Sequence, residues 1–123
     1  MKINDTRTLP AGTKYYEVSE EESFMVGDEP ERDWINQVAY TTLFDAVYDV
    51  MTRPCRNRLY IDLMEKNPNG NGSAHGLPVF AGTRKQMIES TPYDPKSGWR
   101  YTNFDAMGEV APLPETLKVK VAA

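Results

Sequence analysis

Three features of the sequence predict an α+β domain, with one long amphipathic helix over about residues 29–52 packed on a small, mostly antiparallel sheet, long loops and extended terminal segments. Trp34, Ile35, Val38, Ala39, Leu43, Ala46, Val47, Val50 and Met51 recur at three- and four-residue steps, the period of a helix face. Residues 58–64 alternate instead, with Leu59, Ile61 and Leu63 against Tyr60, Asp62 and Met64, which is the period of a strand with one apolar face. The 9 Pro and 8 Gly fall mainly at the start, in the middle and toward the end, and divide the remainder into short strands and loops.

In chain order, Thr6 to Leu9 and Lys14 to Val18 read as two short strands around the turn Pro10-Ala11-Gly12-Thr13, because Pro presets the first turn position and Gly accepts positive φ. Ser23 to Val26 reads as a further short strand. Asp28 stands as N-cap of the predicted helix, with Glu31 at capping-box spacing and Pro30 in the first turn, where a missing N–H costs little. Pro54 ends that helix. Asn67 to Ser73 has loop composition, and Leu77 to Ala81 resumes strand character. Arg84 to Glu89 reads as a short helical turn, Thr91 to Gly98 as loop and Trp99 to Phe104 as a weak strand. Ala111-Pro112-Leu113-Pro114 is expected to be extended. The whole chain, 1–123, is expected to form a single domain, with 109–123 an extended arm ending in an edge strand where Leu117, Val119 and Val121 alternate with lysines.

A chain of 123 residues with 40% apolar and 26% charged residues supports one core and is expected to fold. The lone Cys55 excludes an intrachain disulfide and points to a reducing compartment. The first ten residues lack an apolar signal region and no apolar run is long enough to cross a bilayer, so the expected location is cytoplasmic, the host cytoplasm or the virion if the protein is viral.

No familiar catalytic or metal centre can be assembled. His75 is the sole histidine, and with Ser73 it sits in a Gly-rich loop that lacks the G-x-S-x-G elbow. Cys55 and His75 are two soft ligands where zinc takes three or four. Three neighbouring arginines, Arg53, Arg56 and Arg58, would lower the Cys55 thiol pKa if all lay near it, although a small apolar residue at a helix-to-strand junction explains Cys55 as well. The segment from Glu65 to Gly76 satisfies neither a P-loop nor an EF-hand loop, since Gly76 is followed by Leu77-Pro78 and falls where a bidentate Glu is required. No cofactor and no enzymatic activity are expected.

Charge and aromatic placement point instead to protein contacts. Net charge is -4, yet residues 17–33 carry eight carboxylates against Arg32, leaving +3 on the rest of the chain. Glu20, Glu21, Glu22, Asp28 and Glu29 are candidate partner-binding residues, able to cap a basic surface or imitate nucleic-acid phosphates. Tyr93, Trp99, Arg100, Tyr101 and Phe104 form a second candidate group, of the residue types enriched at interface hot spots. Leu117, Val119 and Val121 form a third, by strand addition to a sheet. An acidic half and a basic cluster on one small domain allow unlike faces of repeated subunits to meet. The expected function is therefore a non-enzymatic structural or assembly protein, of the type of an accessory virion component of bacteriophages such as a capsid-decoration or connector protein. The alternative is a small acidic inhibitor or adaptor that caps a basic surface, in part as a nucleic-acid mimic. The expected partner is a protein or a second copy of the chain, with no direct nucleic acid, membrane or metal.

Overall fold

The computed structural model describes residues 1–67, 74–101 and 112–114. They form a mixed α+β structure in which sheet predominates. Five strands, β1 (Lys2–Ile3), β2 (Lys14–Val26), β3 (Glu29–Tyr40), β4 (Leu59–Lys66) and β5 (Ala74–Gly82), make an antiparallel sheet in the order β1-β3-β2-β4-β5. Helix α1 (Leu43–Thr52) joins β3 to β4, and α2 (Arg84–Glu89) follows β5. Short strands β6 (Tyr93–Asp94), β7 (Trp99–Tyr101) and β8 (Pro112–Pro114) form a second antiparallel sheet.

The core lies between α1 and one face of the larger sheet. Leu43, Ala46, Val47, Val50 and Met51, spaced by three and four residues, are all buried and pack with Tyr16 and Val18 of β2 and with Leu59 and Ile61 of β4. Each large apolar side chain so removed from water contributes about 2 kcal/mol. Met87 of α2 closes the cluster. Thr42 caps α1 by accepting the Asp45 amide on its hydroxyl at 3.2 Å. The predicted alternation of β4 is borne out: Leu59 and Ile61 belong to the core cluster and Leu63 packs against it, while Tyr60 and Asp62 point to the other face.

The extent of the helix needs correction. Residues 29–40 are not helical but form β3, and only Leu43–Thr52 of the expected 29–52 segment is α-helix. Asp28 is no N-cap; with Gly27 it makes the two-residue turn of a hairpin closed by the Val26–Glu29 pair. Gly27 has φ 62 and Asp28 a negative φ, the pattern of a type II′ turn. A bulge explains why β3 has a helix-like sequence. Val18 faces Val38, but Glu20 faces Ile35, so Asn36 and Gln37 together oppose Ser19. Asn36 takes the left-handed conformation, φ 51, that an extra residue in a bulge requires and that Asn tolerates better than most. The inserted residue moves the core-side positions from odd numbers (Ile35) to even ones (Val38, Tyr40), so the apolar residues fall in pairs three to four apart.

Smaller departures have local causes. Thr6–Thr8 is a 3-10 turn rather than a strand, because Asp5 accepts the Arg7 amide at 2.9 Å and holds the Arg7 guanidinium. The expected short helix at 84–89 is present, closed by a capping box in which Thr83 and Gln86 exchange bonds. The expected 109–123 arm lies outside the described residues except for β8.

Candidate protein-binding surface

The sheet does not end where its core ends. β4 pairs with β2 from Glu65 opposite Lys14 to Leu59 opposite Glu20, and the Glu21 amide still bonds Arg58 O at 2.9 Å. Beyond that point β2 and β3 pair, among the described residues, only with each other, through five pairs from Glu22–Asp33 to Val26–Glu29. At the rise of a strand this two-stranded arm reaches roughly 17 Å past the core. On the other side β1 covers β3 only at Ala39 and Tyr40.

The arm is unusual for a surface element. Phe24, Met25 and Val26, near its tip, are 44%, 61% and 58% exposed. Ser23, Phe24, Met25, Pro30, Glu31 and Arg32 bound a shallow cavity of about 510 Å³. Exposed carboxylates Glu22, Asp28, Glu29, Glu31 and Asp33 accompany these apolar groups. Among the described residues no third strand pairs with this ribbon, and a two-stranded ribbon by itself gains little from its own burial.

The five acidic candidates do not share one surface. Glu22, Asp28 and Glu29 are exposed on the arm. Glu20 is buried, with Asn57 Nδ2 donating to its Oε2 at 2.7 Å, Asn36 Nδ2 to its Oε1 at 3.3 Å, and Arg53 Nη1 3.7 Å away. Glu21 turns to the opposite face, where it accepts from Arg32 and from the Tyr60 hydroxyl, each at 3.2 Å.

That opposite face, which no helix covers among the described residues, carries a cleft at the root of the arm. Its volume is about 430 Å³ and it is lined by Glu17, Ser19, Arg32, Trp34, Gln37, Tyr60 and Asp62. Trp34 on β3 and Tyr60 on β4 meet edge to face with ring centroids 4.8 Å apart. Ser19, on the strand between them, is small enough to lie beneath the pair and is 5% exposed. Glu17 and Asp62 face one another directly across the β2–β4 ladder. Burial raises the Glu17 carboxyl above its ordinary value, and the Asp62 charge raises it further; burial also raises Asp62. The alternation of residues 58–64 placed Tyr60 and Asp62 on one face, but nothing in the sequence signalled that Glu17 would be their neighbour.

A second cleft, of about 760 Å³, lies on the helix side and includes Glu20, Tyr40, Asp49, Arg53 and Cys55. Arg53 grips Asp49 through Nε at 2.8 Å and Nη2 at 3.0 Å, and Tyr40 donates to Asp49 at 2.6 Å. The Tyr40 phenol is raised by burial and by its bond to Asp49. Cys55 is likewise raised, by burial and by the Glu20 charge, which outweigh Arg53. Arg56 and Arg58 are exposed. The thiol is not activated, as the arginine-rich sequence around it had allowed.

Of the aromatic candidates, Tyr93 and Trp99 lie in the small sheet, Trp99 42% exposed. Arg100 is buried and donates to Thr91 O at 2.7 Å and Ile88 O at 3.4 Å, tying β7 to the end of α2. Tyr101 contributes backbone to β7. Phe104, Leu117, Val119 and Val121 lie outside the described residues. No group of metal-ligating residues occurs among the described residues, and no helix among them is long and apolar enough to cross a membrane. The chain matches no protein-family model, and it is significantly similar to no curated protein and to no solved structure.

Proposed function

We propose that this protein is a non-enzymatic structural or assembly protein acting through protein–protein contacts, with the β2–β3 arm as its contacting element. The observation that carries this reading is the exposure of Phe24, Met25 and Val26 on a ribbon that projects beyond the core. Side chains of this type, left in water on an element of low intrinsic stability, favour a neighbour that covers them. Repeated subunits joined through unlike faces need an element that reaches across, which fits an accessory virion component of the capsid-decoration or connector type.

Light scattering on the purified chain tests this. The expected mass is a multiple of 14.0 kDa, and the double substitution Phe24→Ser, Met25→Ser is expected to return it to one copy. Because both side chains are exposed, the melting temperature should barely move. A wild-type chain that stays monomeric at high micromolar concentration overturns self-assembly.

The five exposed carboxylates of the arm favour a second reading, an adaptor or inhibitor that caps a basic surface. That reading requires a one-to-one complex that weakens steeply as salt rises. An apolar arm contact is far less sensitive to salt, so the salt dependence separates the two.

A further inference from the structure

We infer that the cleft on the uncovered face of the sheet is a binding site for an arginine side chain presented by a partner protein. Glu17 and Asp62 supply the charge. They stand opposite one another on neighbouring strands, both partly buried, and neither makes an ion pair among the described residues. Like charges directly opposed across a ladder destabilise a sheet, and a cation seated between them reverses the sign of that interaction.

The remainder of the cleft fits a planar cation. Trp34 and Tyr60 form its aromatic wall. The rings already show this preference within the chain, with the Arg32 guanidinium 5.5 Å from the Trp34 ring centre and Arg58 at the same distance from Tyr60. Arg32 does not fill the carboxylate end, because its guanidinium is committed to Glu21. Beneath the rings the Ser19 hydroxyl, on a residue 95% buried, makes no hydrogen bond to the described residues although it lines the cleft. That hydroxyl is open to the cleft rather than sealed in the core, and a guanidinium, with five N–H donors in a flat fork, has one to spare for it after engaging two carboxylates.

The site is independent of the arm tip. N-acetyl-L-arginine amide is titrated into the full chain while the indole N–H signals of Trp34 and Trp99 are followed by NMR, with the citrulline analogue as a neutral isostere. The expected result is a saturable shift of Trp34 alone, with a dissociation constant of roughly millimolar order for so small a probe. Citrulline should give no saturation. The double substitution Glu17→Gln, Asp62→Asn should weaken arginine binding at least tenfold with the spectrum otherwise preserved, since both replacements keep shape and remove repulsion. Equal binding of citrulline, unchanged affinity in the double variant, tighter binding of the lysine analogue, or no saturable shift of Trp34 each overturns the assignment. Phe24→Ser with Met25→Ser should leave the titration unaltered, so failure of the arm reading and failure of this one are told apart.

Discussion

Arg53 reaches back one turn to Asp49 and sideways to Glu20, and the three side chains sit between α1 and the bulged part of β3 with only 7–10% of each exposed. Burial alone disfavours the Arg53 cation, but the bond to Asp49 and the charges of Asp49 and Glu20 outweigh it and raise its pKa. Nε and Nη2 hold Asp49, whereas the buried Nη1 makes no hydrogen bond among the described residues and serves Glu20 only as a charge 3.7 Å away. Arg53→Ala should therefore lower unfolding stability by about 3 kcal/mol, because two buried carboxylates lose their cation. Arg53→Lys should recover little of it, lacking the paired donors. Urea denaturation measures both, and a loss below about 1 kcal/mol for the alanine variant would show that the carboxylates find water instead. At this scale the sequence was a poor guide. Glu20 reads as one of three consecutive surface acids, yet alternation along β2 turns it inward toward residues 53 and 57, a pairing that depends on tertiary registration and leaves no local signal.

The β2–β3 hairpin shows most sharply what the sequence does and does not reveal. Gly-Asp between Val26 and Glu29 is a hairpin signal, but the same Asp28 with Pro30 and Glu31 also satisfies helix-start chemistry, and the phase shift at Asn36 completes the disguise. The C-terminal half of the expected helix was legible because its stripe is buried against a sheet. The N-terminal half has no such burial, and pairing with β2 decides its conformation. Gly27 is the position on which the arm turns. A side chain there meets no atom within 4 Å, so the cost of replacing it is conformational alone. Gly27→Val should destabilise the turn by about 1–2 kcal/mol, while Gly27→Asn should cost less because Asn, after Gly, is among the residues that primed turns accept. Hydrogen exchange locates the effect: amides of residues 22–33 should exchange faster in the Val variant, and those of β4 should not change. If the whole cooperative transition falls instead, the arm is not a separate unit of stability.

For the molecule as a whole, burial of Glu17, Asp62, Tyr15, Tyr40 and Cys55 makes stability depend on pH, and all five act in one direction. Glu17 and Asp62 have folded-state pKa values raised above their ordinary 4.5 and 3.8. Over the interval between the ordinary and the raised values the native state holds more protons than the unfolded one, so stability falls as pH rises through it, and the penalty is complete once both carboxylates are ionised in the fold. Tyr15, Tyr40 and Cys55 are also raised, chiefly by burial. Stability should therefore fall a second time as pH climbs past the ordinary values of 9.0 for the thiol and 10.0 for the phenols. The net charge of -4 grows more negative along the same path and repels itself, reinforcing the trend. Equilibrium unfolding in urea from acid to alkaline pH, at low concentration because the isoelectric point lies near 5.0, should show two descending steps. Glu17→Gln with Asp62→Asn should abolish the acid-side step, raise stability at neutral pH by roughly 0.2–1 kcal/mol, and leave the alkaline step in place. A wild-type curve that rises between pH 5 and 8 would mean that carboxylates favoured in the fold outweigh this opposed pair. Saturating arginine amide should flatten the acid-side step in the wild type, since a cation held between Glu17 and Asp62 lowers both pKa values toward the ordinary range.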